Sequence, residues 1–406
     1  MDSGHTSWML IATALVFFMT PGLAFFYGGL VRAKNLVNTM MMSFMAIAIV
    51  SIVWVLWGYS LAFGTGNAFI GDFSHLGLSG IAFASAEGED IPPLLFVAFQ
   101  MMFAVITPAL ITGAFAERFK FSTYLIFLVI WSTLVYSPIT HWVWADNGWL
   151  LELGALDFAG GTVIHINAGI AAVAASLIVG KRRNPGLQPN NVPYVILGAA
   201  ILWFGWFGFN AGSALSAGDS AANAFLVTSL AASTAALTWG VISHFKTGKM
   251  GAVGVATGAV AGLVAITPAA GAVNAMGSLA IGFGAGLICF YAVELLHKTN
   301  MDDALDVFAV HGIGGIWGAI ATGIFATSLI TGGTTGLIED GNIKQVGIQA
   351  VGVIATLVYS GVVSLIILFI LDKIPGLGLR ADEADEDLGL DLASHGEQAT
   401  VRDGAD

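Results

Sequence analysis

Two histidines, His165 and His311, fall deep inside apolar stretches of this chain, and each follows an aspartate by eight positions: Asp157 and Asp303. Imidazole donates at one nitrogen while accepting at the other and titrates near neutrality, so a pair of them suits the passing of a proton or a small polar molecule. Read as helix, eight residues rise about 12 Å, which would carry each histidine from an aspartate at a membrane surface toward the midplane of a roughly 30 Å hydrocarbon layer. Ionisable groups at that depth mark a path for something polar. The plainer account is packing. Aspartate is an ordinary helix N-cap, a lone buried histidine is usually a satisfied core residue, and Asp302 and Asp306 also precede His311. Spacing alone leaves both accounts open, although the other six histidines, His5, His75, His141, His244, His297 and His395, are expected near span ends, in loops or in termini.

The elements that must hold these histidines are membrane helices. Hydrophobic residues make up 57% of the chain and charged ones only 10%, with a mean hydropathy of +0.84, too little polar surface to cover a water-soluble globule. Eleven apolar segments can span, centred near residues 19, 50, 103, 131, 170, 202, 233, 260, 285, 316 and 358. The first runs past Pro21 without a basic n-region and reads as a retained helix rather than a cleaved signal.

Basic residues near span ends resist translocation and so set orientation. Arg32 and Lys34 follow span one, Arg118 and Lys120 span three, Lys181, Arg182 and Arg183 span five, and Lys246 and Lys249 span seven. Lys298 follows span nine, and Lys373, Arg380 and Arg402 follow span eleven, so every odd span is expected to end in the cytoplasm and the N-terminus to lie outside. Span five then runs inward and span ten outward. The two Asp-to-His units enter from opposite faces, five spans apart, which is the arithmetic of an inverted-topology repeat. The expected fold is therefore an all-α integral membrane protein of eleven transmembrane helices, a 5+5 inverted repeat plus one. The membrane domain spans 1–379, with halves of about 1–183 and 190–328 and an extra helix of about 346–372, and 380–406 form an acidic cytoplasmic tail.

The net charge of -12 comes largely from that tail and the outer loops, which argues against nucleic acid or anionic lipid as partners of the tail. Cys289 stands alone and reads as packing. Fifty-two glycines allow close helix packing, so any conduit should be narrow, apolar and suited to a small neutral molecule, without a large cavity. Trp142, Trp144 and Trp149 crowd the outer end of span four, and Trp203 and Trp206 with Phe204, Phe207 and Phe209 fill span six; most of these read as an interfacial belt, with a few available for cation-π contact.

The stretches 20–35 (TPGLAFFYGGLVRAKN), 157–169 (DFAGGTVIHINAG), 205–214 (GWFGFNAGSA) and 302–318 (DDALDVFAVHGIGGIWG), with 389–397 (GLDLASHGE) in the tail, resemble signature segments of the ammonium transporter family, the Amt/MEP/Rh group, in the expected order. The resemblance implies a cell-membrane homotrimer with one pore per protomer, no cofactor and no metal. It implies roles as well: Trp144, Phe103 and Ser213 recruit ammonium, Asp157 organises that region, Phe103 and Phe209 gate the pore, and His165, His311 and Trp206 line it. Ammonium would be deprotonated, ammonia would cross, and a proton would follow. The alternatives are a passive ammonia channel and an ammonium sensor that signals through its tail, which the resemblance pairs with a PII-type regulator. A haem held by the two histidines is a remote further reading. The HWVWADNGW loop and the last residues after His395 depart from the family pattern.

Overall fold

The computed structural model describes residues 2–86, 90–184 and 188–400. Arg402, counted above among the orienting charges, lies outside the described residues. Among the described residues, ten helices are long and apolar enough to cross a membrane. They are α1 Ser3–Leu30, α2 Ala33–Phe63, α3 Pro93–Phe115, α4 Phe121–Leu153, α5 Gly161–Val179, α6 Val192–Ala211, α7 Asp219–Thr247, α9 Ala275–Leu296, α10 Phe308–Phe325 and α11 Ile343–Lys373. The eighth expected span is the apolar helix α8, Ala252–Ile266, which has 15 residues. At about 1.5 Å per residue it covers only part of a bilayer. Turns from Thr267 to Ala272 continue its path. Composition explains why these segments are helical: with no water in the hydrocarbon, backbone groups must be satisfied within the segment.

Helix packing repeats between the halves. α1 packs on α2 and α3, as α6 packs on α7 and α8; α3 packs on α5 as α8 packs on α10; and α1 and α6 pack on each other. α11 closes the bundle against both α5 and α10. The inverted 5+5 arrangement thus places α5 and α10, the histidine-bearing helices, in contact at its centre.

Both of those helices begin as π-helix, Gly161–Ile166 in α5 and Phe308–Ile313 in α10. Wider π turns recur at functional positions because they re-aim side chains. Residues 154–160 and 301–306 are not helical. The eight-residue intervals expected as continuous helix are therefore a capped turn followed by a π-helical start. The halves meet at a glycine pair: a Cβ on Gly169 would sit 2.4 Å from Cα of Gly312. Only glycine allows the backbones that close.

The acidic tail is folded onto the protein. Helices α12 Glu383–Leu388 and α13 Leu390–His395 lie against the basic connections. Lys120 N–H donates to the Leu379 carbonyl (2.8 Å) and Lys34 Nζ to the carbonyls of Glu386 and Asp387 (2.7 Å each). Asp391 is buried, capping the start of α2 through Val37 N–H (3.1 Å) and Asn38 N–H (2.7 Å).

Candidate conduction site

Asp157 shows how the chain starts α5. Its Oδ1 accepts from Gly160 N–H (3.0 Å) and Gly161 N–H (2.5 Å), and its Oδ2 from Thr162 N–H (2.8 Å), Val163 N–H (3.3 Å) and the Thr162 hydroxyl. Carboxylate and helix start complement each other in charge, and the first-turn amides are left with partners. Gly160 makes the turn at φ +110°, closed to an ordinary side chain. The Asp157 carbonyl also accepts from Trp144 Nε1 (2.9 Å), fixing the indole at the end of α4. Asp157 thus touches the expected recruitment region through its backbone, while its carboxylate is occupied inside the fold.

Trp144 leads to the aromatic stack. Its ring centroid lies 5.9 Å from that of Phe103, edge to face, and Phe103 lies 4.5 Å from Phe209. Phe209 in turn lies 5.2 Å from Trp206 and 6.0 Å from the His165 ring. Ser213 is one turn beyond Phe209 and donates its hydroxyl to the Phe209 carbonyl (2.8 Å), which leaves its oxygen lone pairs as acceptors. Phe103 and Phe209 are each 1% exposed, so they close the path in this structure. Ser213 and Trp144 remain partly exposed at that end.

Beneath the stack the two imidazoles meet. His165 Nδ1 and His311 Nδ1 are 3.2 Å apart, with near-parallel rings whose centroids are separated by 5.3 Å. A hydrogen bond between two Nδ1 atoms needs one donor and one acceptor, so at least one ring is neutral and the two carry complementary tautomers. Trp206 stacks on His165 at 5.5 Å and is held by its Nε1 donating to Thr267 Oγ1 (2.9 Å). Around the histidines lies a narrow cavity, walled by Leu23, Ile106, Ile164 and Leu202 among others, offering about 10 Å³ to the centre of a water-sized molecule. That is space for roughly one small molecule. A haem does not fit, since the ring nitrogens already touch and the walls are closed.

At the far side of His311 the passage widens. A vestibule of about 810 Å³ on the same measure is lined by His311, Tyr27, His297, Asp302, Asp303 and Asp306 with neighbouring residues. The sequence suggested no large cavity; one forms here because residues 301–306 leave the helix and open the end of the bundle. Asp303 starts α10 as Asp157 starts α5, accepting from Phe308 N–H (2.7 Å).

His141 lies in the last turn of the helix Ser137–Trp144 and is fully buried between the carbonyls of Ala62 (2.9 Å from Nδ1) and Asn67 (2.6 Å from Nε2). Trp54, Trp131, Trp142, Trp206 and Trp239 are buried within the protein. Thr162, Thr267 and the Gly169–Gly312 crossing were not singled out from the sequence. One signal existed, the triplet Ile-Thr-Pro at 106–108 and 266–268, in spans three and eight.

Comparison with known proteins agrees with this architecture. The sequence profile of the Ammonium Transporter Family matches residues 7–400. An ammonium transporter of Aquifex aeolicus is 52% identical over 98% of this chain and 94% of its own length, and one of Bacillus subtilis is 48% identical over 98% and 99%. The crystal structure of Candida albicans Mep2 superposes with a TM-score of 0.89 at 40% identity, covering 98% of this chain and 90% of Mep2. A structure described as a sensor Amt protein superposes with a TM-score of 0.88 at 31% identity over 97% and 98%. Capped histidine helices crossing at glycine, an aromatic stack above them and this extent of similarity together place the chain in the ammonium transporter family.

Proposed function

We propose that the protein takes up ammonium by recruiting the cation at Trp144, Phe103 and Ser213, removing its proton there and conducting ammonia past His165 and His311, with the proton following. The observation that carries this reading is the imidazole pair, in contact at 3.2 Å inside an apolar cavity sealed by Phe103 and Phe209. Bringing a bare cation into such surroundings costs on the order of tens of kcal/mol in the Born limit. A cation-π contact returns about 0.5–2 kcal/mol. The ion is therefore held at the partly exposed Trp144 end and crosses as the neutral base. The imidazole chain offers a donor and an acceptor in series for a proton.

Basic connections orient the molecule: Arg32, Arg118 and Arg182 sit at the Asp303 end with the tail, so we assign that end to the cytoplasm and the Trp144 end and N-terminus to the outside of the cell membrane. On this reading an inside-negative potential favours uptake by about 2.3 kcal/mol per 100 mV if the proton crosses too.

The test is current in proteoliposomes under an ammonium gradient, recorded with internal pH. Inward positive current that tracks ammonium supports the reading. Ammonia flux without current leaves a passive channel, and the absence of both flux and current overturns transport. We also propose a homotrimer, to be checked by mass in detergent. The docked tail favours regulation at the cytoplasmic face by a PII-type protein: deleting 380–406 should change flux or its inhibition, whereas a sensor would lose its output and keep flux.

A further inference from the structure

The vestibule beyond His311 contains three carboxylates with different standing. Asp302 is taken by Arg182, whose Nη2 and Nε donate at 2.7 and 2.9 Å and whose backbone N–H adds a third bond (2.7 Å). Asp306 meets His297 Nε2 at 2.7 Å. Arg118, the other nearby cation, spends its guanidinium on the carbonyls of Gly180, Ala116, Ala114 and Asp302. The Tyr27 hydroxyl donates to the Leu110 carbonyl (3.0 Å). Of the three, Asp303 alone has a buried oxygen without a partner among the described residues. Its Oδ2 accepts from Phe308 N–H, while its Oδ1 has no partner, in a residue only 7% exposed that lines the vestibule together with His311.

A buried polar oxygen left without a bond is costly, so its retention asks for a ligand or a proton. Burial, then repulsion from Asp306, pushes this carboxyl up to about 7 against the pull of the Phe308 and Val307 amides and of Arg118. Both forms are thus populated near neutral pH.

We propose that Asp303 is the proton-exchange residue of the inner mouth, giving the proton on Oδ1 to ammonia as it emerges past His311 and briefly holding the ammonium so formed. The O–H bond breaks with its electron pair staying on oxygen, and the ammonia lone pair forms the new N–H bond. Ammonium then leaves into the vestibule and the carboxylate regains a proton from the water there. A proton relayed through the histidines ends in that same water, so the net stoichiometry is unchanged. This rests on the transport reading above and adds its release step.

The experiment pairs Asp303→Asn and Asp303→Glu with the unaltered protein in proteoliposomes of known orientation, with flux read against lumenal pH and carboxyl protonation read by infrared difference spectroscopy. Asparagine keeps an acceptor for Phe308 N–H, so the fold is retained. We expect a protonated-carboxyl band that titrates near neutrality and is lost in Asp303→Asn, flux at least about tenfold slower and insensitive to lumenal pH, and recovery in Asp303→Glu. Unaltered flux with its pH response intact in Asp303→Asn, or a carboxyl that stays ionised throughout, overturns the inference alone. Absence of ammonium flux in the unaltered protein overturns the transport reading as well, while the infrared band still reports on Asp303.

Discussion

The two aspartates that open α5 and α10 occupy equivalent places in the inverted repeat and are treated in opposite ways. Five donors converge on the Asp157 carboxylate, whereas one reaches Asp303 at 2.7 Å and an oxygen is left bare beside a wide vestibule. Repeat symmetry fixes the backbone position of a group, and its neighbours decide whether it braces the fold or stays free to react. At the Trp144 end the carboxylate is structural and the aromatic rings face the passage. At the Asp303 end an acid faces it.

The sharpest way to break this contrast is to remove the carboxylates. Asp157→Ala deprives four amides and a hydroxyl of their acceptor; at about 1–3 kcal/mol for each buried group left unpaired, it should lower apparent thermal stability in detergent far more than Asp303→Ala. Equal losses would refute the asymmetry. Next in size is the histidine pair: His311→Ala and His165→Ala should assemble yet lose or uncouple flux by at least about tenfold, read as current against internal pH. A selective current equal to that of the unaltered protein would count against the relay. Thr162→Val, which removes one hydroxyl bond that has no counterpart at Asp303, should cost about 1 kcal/mol of stability and leave the inner mouth unaffected.

A fourth expectation concerns pH. The Asp303 carboxyl lies above its ordinary range, at about 7, so the fold binds a proton that the unfolded chain releases from about pH 4 upward. Its contribution is complete at low pH and declines as pH rises through that window. Asp303→Asn should therefore gain thermal stability relative to the unaltered protein as pH rises from about 4 to about 7. A constant gap would show that the carboxyl does not titrate there. Asp391→Ala, at the tail, should have the smallest effect on the membrane bundle, about 0.5–2 kcal/mol for a lost helix cap, seen as easier proteolysis of residues after Leu379.

Much of this was legible in the sequence because lipid imposes few solutions. Runs of apolar residues gave the helices, the basic residues gave a consistent alternation, and the order of His165 and His311 gave the repeat. Ring contacts such as Phe103 on Phe209 rested on family likeness, since nothing in local spacing brings α3 and α6 together. The burial of His141 was hidden because its two carbonyl partners, on Ala62 and Asn67, come from a neighbouring segment that wraps over it. The vestibule was hidden for a similar reason: it arises where helix is absent, at residues 301–306, and hydropathy reads only where helix is favoured. The folded state of the tail depended on Asp391 finding the first turn of α2, a partner more than 350 residues away in sequence.

The glycine crossing has a consequence for how the protein operates. With 2.4 Å available where a methyl group would have to sit, α5 and α10 are keyed to each other one turn past His165 and one residue past His311. Rocking one half against the other would have to prise apart this close backbone contact beside the histidines. On the proposed reading, passage would be left to motions of rings and protons around a fixed pivot, with Phe103 and Phe209 swinging aside. Even an alanine at 169 would act as a wedge, spreading the imidazoles before it disturbed any outer helix.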